Sequence, residues 1–330
     1  MPKQPRNLLN SMTKILYLGT SQFSEMMNTE RWQLTSGMLK NKNYIFFDFK
    51  NCKEKNIDLC ELWIKSDKPN FIILEDYDWA QKLNLPIEYI NADKIPVPIL
   101  SFIADYWYDP KEKLEYYAKN KITGLIAIHE AANQYIRENF SQQIKKIVNI
   151  PFSIDKSEFS EEPNKKEYDV LCSGFMGDLY PLRQKIRGIL KKNTKVNTNF
   201  LEHPGYWKKN GKIGLRGKDY YEVMEKAKFV ISTTGLYNIS VRKHIEIVCA
   251  RAKIIGNTTG FGEHKVFDSF TLPLNCDMSD QQINKAIEEA VDNWKWSDED
   301  EKKRQLILST HGPVFIAKSL REKIGKINYE

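Results

Sequence analysis

The stretch "STTGLYNISVRKHIEIVCARAKIIGN" (232–257) gathers Arg242, Lys243 and Glu246 at the front of a predicted helix, just after a loop with one glycine, Gly235. On a helix beginning near Ser240, Val241, Ile245, Val248 and Ala252 form an apolar stripe at helical spacing. Glu246 falls angularly between the two cations, on the flank of that stripe rather than opposite it. Two chemistries fit such a trio. One is an i,i+4 ion pair, which adds about a few tenths of a kcal/mol to a helix and does nothing else. The other is a ligand site, in which the carboxylate accepts from vicinal hydroxyls while cations and loop amides hold phosphates. The residues alone leave both open.

Other candidates lie at predicted strand ends. "GFMGDLYPLR" (174–183) has Gly174 and Gly177 in the loop after a strand and Arg183 near a helix start. Glycines let the backbone approach a phosphate, and an unoccupied helix N-terminus offers N–H groups. The same loop would equally serve as a tight turn. "KIGLRGKDYYEVM" (212–224) places Arg216 and Lys218 around Gly217 before another helix. An arginine can fork across two phosphate oxygens and a lysine can act as a point charge, or both can be solvated loop cations. Asp105 and His129 each end a predicted strand, where each could serve as a general base or as a structural cap. The five histidines form no H-E-x-x-H helix, so no catalytic metal is expected. There is no Walker sequence and no G-x-S-x-G elbow.

The elements that must position these residues alternate as in parallel α/β sheets. "KILYLG" (14–19) reads as a first buried strand running into Gly19-Thr20-Ser21. "YIFFDF" (44–49), "FIILED" (71–76), "VPILSFIAD" (97–105), "GLIAIH" (124–129) and "KIVNIP" (146–151) follow as strands, with helices at 109–120 and 130–140. Residues 153–168 are polar, charged and without an apolar face, and read as a linker. The pattern then restarts with strands at 169–175, 198–202, 228–233 and "KIIGN", and with helices at 181–192 and 218–227. The expected organisation is therefore 1–152 as a first Rossmann-like domain, 153–168 as a linker, and 169–310 as a second such domain. Residues 311–330 complete the chain. Ligands in such sheets sit beyond the carboxyl ends of the strands, which for two domains means a central cleft.

The composition of the 330 residues, 41% hydrophobic and 12% aromatic, suits a globular chain, and no run is apolar enough to cross a bilayer. Residues 1–12 lack the apolar core of a secretory signal and read as a loose leader. Five cysteines, an odd number with no C-x-x-C pair, argue against a disulfide framework and for a cytoplasmic location. The net charge of +7 permits peripheral contact with a membrane surface. The lysines are nevertheless mixed with acids, so no nucleic-acid partner is expected.

Several segments, in order, resemble glycosyltransferases of the two-Rossmann-domain (GT-B) type, in particular the group-1 and spore-maturation-protein-like branch. "GLIAIHEAANQYIRENFSQQIKKIVNIPFSIDKSEF" is similar to that family's segment ending in "IPNGVD-x-x-x-F", with Phe152 and Ser153 in place of Asn-Gly. "DVLCSGFMGDLYPLR" resembles the start of the donor domain, and the stretch from "YYEVMEKAKFVISTTG" to "KHIEIVCARAKIIGN" its donor site. "STHGPVFIAKSLREKI" resembles the closing helix that crosses back onto the first domain.

The resemblance implies transfer of a sugar from a nucleotide-diphosphate donor to a glycan, lipid or protein acceptor, without a metal or other cofactor. It implies Glu246 on the donor ribose, and Arg183, Lys218 and Lys243 toward the diphosphate. Arg216, Arg242 and the amides around Gly235 are further diphosphate candidates. On the acceptor side stand Gly19, Thr20 and Ser21, with Asp105 or His129 as the base if the enzyme inverts. Asn238 occupies the place where retaining members often carry a second glutamate, which leaves the stereochemistry open. Arg251 replaces the small residue or glycine that commonly follows the alanine. Rival expectations are an epimerase or phosphorylase on the same fold, or a non-catalytic module that binds nucleotide sugars or polyanions. Oligomeric state is not readable.

Overall fold

A computed structural model describes residues 13–25, 30–52, 56–203, 215–239, 241–260 and 262–326. The leader and the helix start at Ser240 lie outside the described residues. The chain divides into two compact units. One takes in the chain up to Ser24, Arg31–Pro151 and everything from Pro313 onward, and the other contains Phe152–Gly312.

The first unit is built on a parallel sheet of six strands: β1 (Ile15–Gly19), β2 (Tyr44–Asp48), β4 (Phe71–Leu74), β6 (Ile99–Ile103), β7 (Ile122–Ala127) and β8 (Lys146–Asn149). Their order is β2-β1-β4-β6-β7-β8. Two short strands, β3 (Asn56–Asp58) and β5 (Glu88–Ile90), pair separately; their three-residue length kept them below any sequence pattern. The central strands read as unbroken apolar runs because both their faces are covered, and every residue of Phe71–Leu74 is buried. The C-terminal helix Pro313–Gly325 belongs to this unit and buries Ile316, Ala317, Leu320 and Ile324. Tyr44 Oη donates to Ala317 O at 2.7 Å, and Lys323 Nζ to Asn149 O at 2.7 Å. Gly37 of the helix Glu30–Leu39 lies so close that a Cβ there would be 2.1 Å from Pro313 O.

The second unit holds five parallel strands: β9 (Tyr168–Ser173), β10 (Thr198–Leu201), β11 (Ala227–Ser232), β12 (Lys253–Gly256) and β13 (Thr271–Pro273). They are ordered β10-β9-β11-β12-β13. Helices Pro181–Leu190 and Asp280–Asp292 supply Leu182, Ile186, Ile283 and Ile287 to one core with Val170, Phe229 and Ile231 of the sheet. Two later helices, Asp280–Asp292 and Asp298–Thr310, both start with capping boxes, on Ser279 and Ser297.

The stretch expected as a linker, 153–168, packs within the second unit instead. Ser153, Ile154 and Phe159 are buried, and the Phe159 ring stacks on Tyr221 with centroids 4.4 Å apart. The buried Glu225 carboxylate accepts from Ser160 N, Ser160 Oγ and Asn164 Nδ2, all within 2.7 Å. Lys166 Nζ donates to the carbonyls of Glu225 and Arg251, each at 2.7 Å. These contacts are mostly polar, so they leave no apolar period in the sequence; the polarity that resembled a linker is the means of attachment.

Candidate functional site

The helix carrying the opening trio runs from Arg242 to Cys249, and within it only Arg242, Lys243 and Glu246 are not buried. It packs on all remaining sides, which is why its charged residues share one narrow face. On that face the two cations part company. Arg242 Nε lies 3.1 Å from Glu246 Oε1, and Tyr221 Oη donates to the same oxygen at 2.9 Å. Arg242 Nη2 in turn donates to Tyr221 Oη at 3.0 Å. The structure therefore places Arg242 with the carboxylate rather than with the other cations. Glu246 Oε1 is fixed from two sides, while Oε2 takes no hydrogen bond among the described residues.

Lys243 reaches the other way, to the carboxyl end of β9. Its Nζ donates to Ser173 O at 2.7 Å and lies 3.4 Å from Ser173 Oγ. Ser173 Oγ in turn lies 2.8 Å from Tyr220 Oη. Gly174 follows at φ 100°, and a Cβ on it would sit 2.3 Å from Lys243 Nζ and 3.3 Å from Arg183 Nη1. Only glycine tolerates both that backbone and that proximity. Arg183 is buried, with Nη1 donating to Phe175 O at 2.9 Å and its guanidinium 3.9 Å from the centre of the Tyr180 ring. Burial first, and then the Arg183 charge, push the Lys243 pKa down to about 7. Burial, Lys243 and Arg183 likewise lower the pKa of His203, whose ring stands 6.2 Å from that of Phe175. Two cations so close are costly unless an anion joins them.

The loop before the helix offers less than its sequence suggested. The amide of Thr234 donates to Asn257 Oδ1, Leu236 to Leu179 O, Asn238 to Gly235 O and Ile239 to Thr234 O. Four amides expected to face a diphosphate are therefore used inside the protein. Gly235, at φ 70°, is required by packing, since a Cβ would meet Leu179 O at 2.9 Å. Arg216 occupies the N-cap of helix Gly217–Glu225, and Lys218 is exposed on its first turn. Both departures from the family pattern sit at left-handed backbone, Asn238 at φ 48° and Arg251 at φ 52°. Arg251 takes the position after a helix that usually calls for glycine, and its Nε is 3.0 Å from Glu301 Oε2.

In the first unit, the acceptor-side candidates lie at the carboxyl ends of the strands. Thr20 is buried; the Ser21 amide donates to Asp48 Oδ1 at 3.0 Å, and the Gln22 amide to Thr20 Oγ1 at 3.2 Å. The Gly19–Ser21 loop is thus held by its neighbours. Asp105 follows β6, where burial and the nearby Asp76 raise its pKa. His129 follows the adjacent β7, is buried, and has the rings of Tyr106 and Trp107 at 6.4 and 6.3 Å. Glu75, at the end of β4, is wholly buried and accepts from Tyr17 Oη at 2.6 Å, with Arg31 Nε at 3.2 Å. Sequence reading missed this network and also missed Tyr220 and Tyr221. Their signals were two acids ending "FIILED" and the doubled tyrosine in "KDYYEVM".

No protein-family model matches the chain, and no curated protein matches it. Solved structures do. A glycosyltransferase from Rickettsia africae ESF-5 is 12% identical with a TM-score of 0.59, covering 96% of this chain and 99% of that one. Anabaena Alr3699/HepE, solved in complex with UDP and glucose, is 10% identical with a TM-score of 0.56, covering 96% and 100%. A chain of the GtfA/B complex is 12% identical at a TM-score of 0.47; 82% of the present chain is covered but only 60% of that one. Two parallel, doubly wound units and the Rickettsia and Anabaena likenesses give the chain the GT-B fold of two Rossmann-like domains.

Proposed function

We propose that the chain is a glycosyltransferase that moves a sugar from a nucleoside-diphosphate sugar to an acceptor hydroxyl. The observation that carries this reading is the divided face of helix Arg242–Cys249. It holds one carboxylate with a single oxygen tied down and, one turn away, a half-buried lysine beside Arg183 at a glycine strand end. Glu246 Oε2 accepts a hydroxyl of the donor ribose. Arg183 and Lys243 meet the diphosphate at Gly174 and stabilise the charge that grows on it as the sugar departs. In this reading they do the work of a divalent ion. The UDP and glucose in the Anabaena structure of similar fold support a nucleotide-sugar donor. If the transfer inverts, Asp105 or His129 takes the acceptor proton, and the raised pKa of Asp105 suits it to that task. All five cysteines are free thiols, which supports a reducing, cytoplasmic setting.

The test is thermal shift with UDP, GDP, ADP, CMP and dTDP, with and without magnesium. One nucleoside diphosphate is expected to stabilise the protein without metal, and Glu246→Ala to remove most of the effect. No shift in the wild type, or an equal shift in the variant, overturns the donor site. Incubation with donor alone separates transfer from epimerisation.

A further inference from the structure

The loop Asp105–Asp109, between β6 and the helix Pro110–Lys119, carries three consecutive aromatic residues and is fixed to an unusual degree. Lys113, on that helix, is fully buried. Its ammonium donates to Asp105 O at 3.0 Å and to Tyr108 O, and pairs with Asp78 Oδ2 at 2.8 Å. Two of the ammonium's three N–H donors go to backbone carbonyls of the loop, and the Asp78 carboxylate balances its charge. Burying a charge is unfavourable without such partners. At the loop's start, Ala104 N donates to Asp76 Oδ2 at 2.9 Å. At its end, Asp109 adopts φ 41°, a left-handed conformation that a residue with a Cβ holds only when its surroundings impose it. A buried charge and a strained residue are spent on the shape of one surface loop.

That shape displays rings. Tyr106 is buried against Trp107, with centroids 4.9 Å apart, and against Tyr135 at 5.2 Å. Trp107 is next to Tyr108, at 5.9 Å, and to His129. Tyr108, at the outer end of this series, is 51% exposed. The loop follows β6, and His129 follows the neighbouring β7, at the sheet edge where parallel α/β folds bind ligands. Three ligand classes can be weighed by chemistry. A phosphate would meet the carboxylates of half-buried Asp105 and exposed Asp109, while the nearest lysine is already committed. A lipid tail would strip water from the same carboxylates without compensating them. A pyranose satisfies both kinds of group, because its C–H face stacks on aromatic rings and its hydroxyls donate to carboxylates.

We propose that the Asp105–Asp109 loop, clamped by Lys113, is a binding shelf for a sugar ring, with Trp107 and Tyr108 as its stacking residues. The acceptor is then a glycan or glycoside rather than a plain lipid or peptide hydroxyl. That last step rests on the glycosyltransferase reading; the sugar contact itself does not.

The experiment is saturation-transfer NMR on the full chain with methyl glycosides of glucose, galactose, mannose and N-acetylglucosamine, and with choline as an aromatic-cage control. At least one glycoside is expected to receive saturation. The signal should drop by about fivefold or more in both Tyr108→Ala and Trp107→Leu, as for loss of a stacking partner. Thermal shift with the stabilising nucleoside diphosphate runs alongside and should be unchanged in both variants, and an unchanged calorimetric unfolding transition of the first unit, which holds both positions, shows that they are folded. No glycoside signal in the wild type, a signal unchanged in both variants, or transfer to choline in place of the sugars overturns the shelf. Failure of the wild-type nucleotide shift overturns the donor reading instead, so the two failures are told apart.

Discussion

At the scale of single residues, the carboxylate of Glu246 is held by its neighbours before any ligand arrives. Tyr221 Oη donates to Oε1 and accepts from Arg242, while the tyrosine ring rests on Phe159. Tyr221→Phe keeps the ring and removes the hydroxyl. It should cost about 1 kcal/mol of stability and weaken nucleoside-diphosphate binding by about tenfold, read by calorimetry, because a charged hydrogen bond orienting the carboxylate is lost. Lys243 makes a prediction in pH. Its pKa, pushed down from an ordinary 10.5 to about 7, leaves it about half charged near neutrality. A bound phosphate anion favours the charged form and raises that pKa, so binding takes up a proton and is strongest below pH 7. Affinity for a nucleotide sugar, whose diphosphate does not titrate in this range, should fall by about tenfold from pH 7 to pH 8.5. His203 is shifted down from an ordinary 6.5 and does not compete in that window. In Lys243→Met binding should be weaker and flat with pH; a wild-type profile equally flat would remove Lys243 from the phosphate contact.

Among the elements, the critical junctions are those where a strand gives way to a loop at close quarters. Gly256 ends β12 at φ 147°, and a Cβ there would lie 1.9 Å from Ser232 O on β11. Gly256→Ala forces two adjacent strands apart beside the loop that leads to Glu246. A loss of about 3 kcal/mol or more is expected, with a urea midpoint far below the wild type's. Arg251 shows the opposite solution at the end of the Glu246 helix. A residue with a Cβ holds the left-handed position there because its guanidinium reaches Glu301 and the carbonyls of Ser160 and Glu161. The strap 153–168 and the helix Asp298–Thr310 are thereby joined at the base of the site helix.

For the whole molecule, the two units set different terms for stability and binding. The first unit is completed by the last helix, whose Ile316, Leu320 and Ile324 are buried within it. Each such side chain contributes about 1.5–3 kcal/mol, and their sum is comparable with the stability of a typical domain. A chain ending at Gly312 should therefore lose or strongly lower the unfolding transition of the first unit in calorimetry. The nucleotide shift of the second unit should persist, and its disappearance would show that the donor site depends on both.

Much of this was legible in the residues themselves. Continuous runs such as "FIILED" and "KFVIST" marked buried parallel strands, and the restart after residue 168 marked a second unit, because apolar periodicity is a local consequence of which faces are covered. The helix flank alone left Glu246 between an ion pair and a ligand contact, and the resemblance to glycosyltransferases is what singled it out. What the sequence could not supply was partnership at long range. Tyr221 is 25 positions from Glu246, and Ser173 is 70 from Lys243. The Lys113 clamp depends on where backbone carbonyls point, and the packing of 153–168 depends on a carboxylate at position 225. Spacing along the chain determined which residues share a face. Only the folded chain decided that Arg242 would serve the carboxylate and Lys243 the strand end, because hydrogen bonds are short-ranged and directional and carry no period.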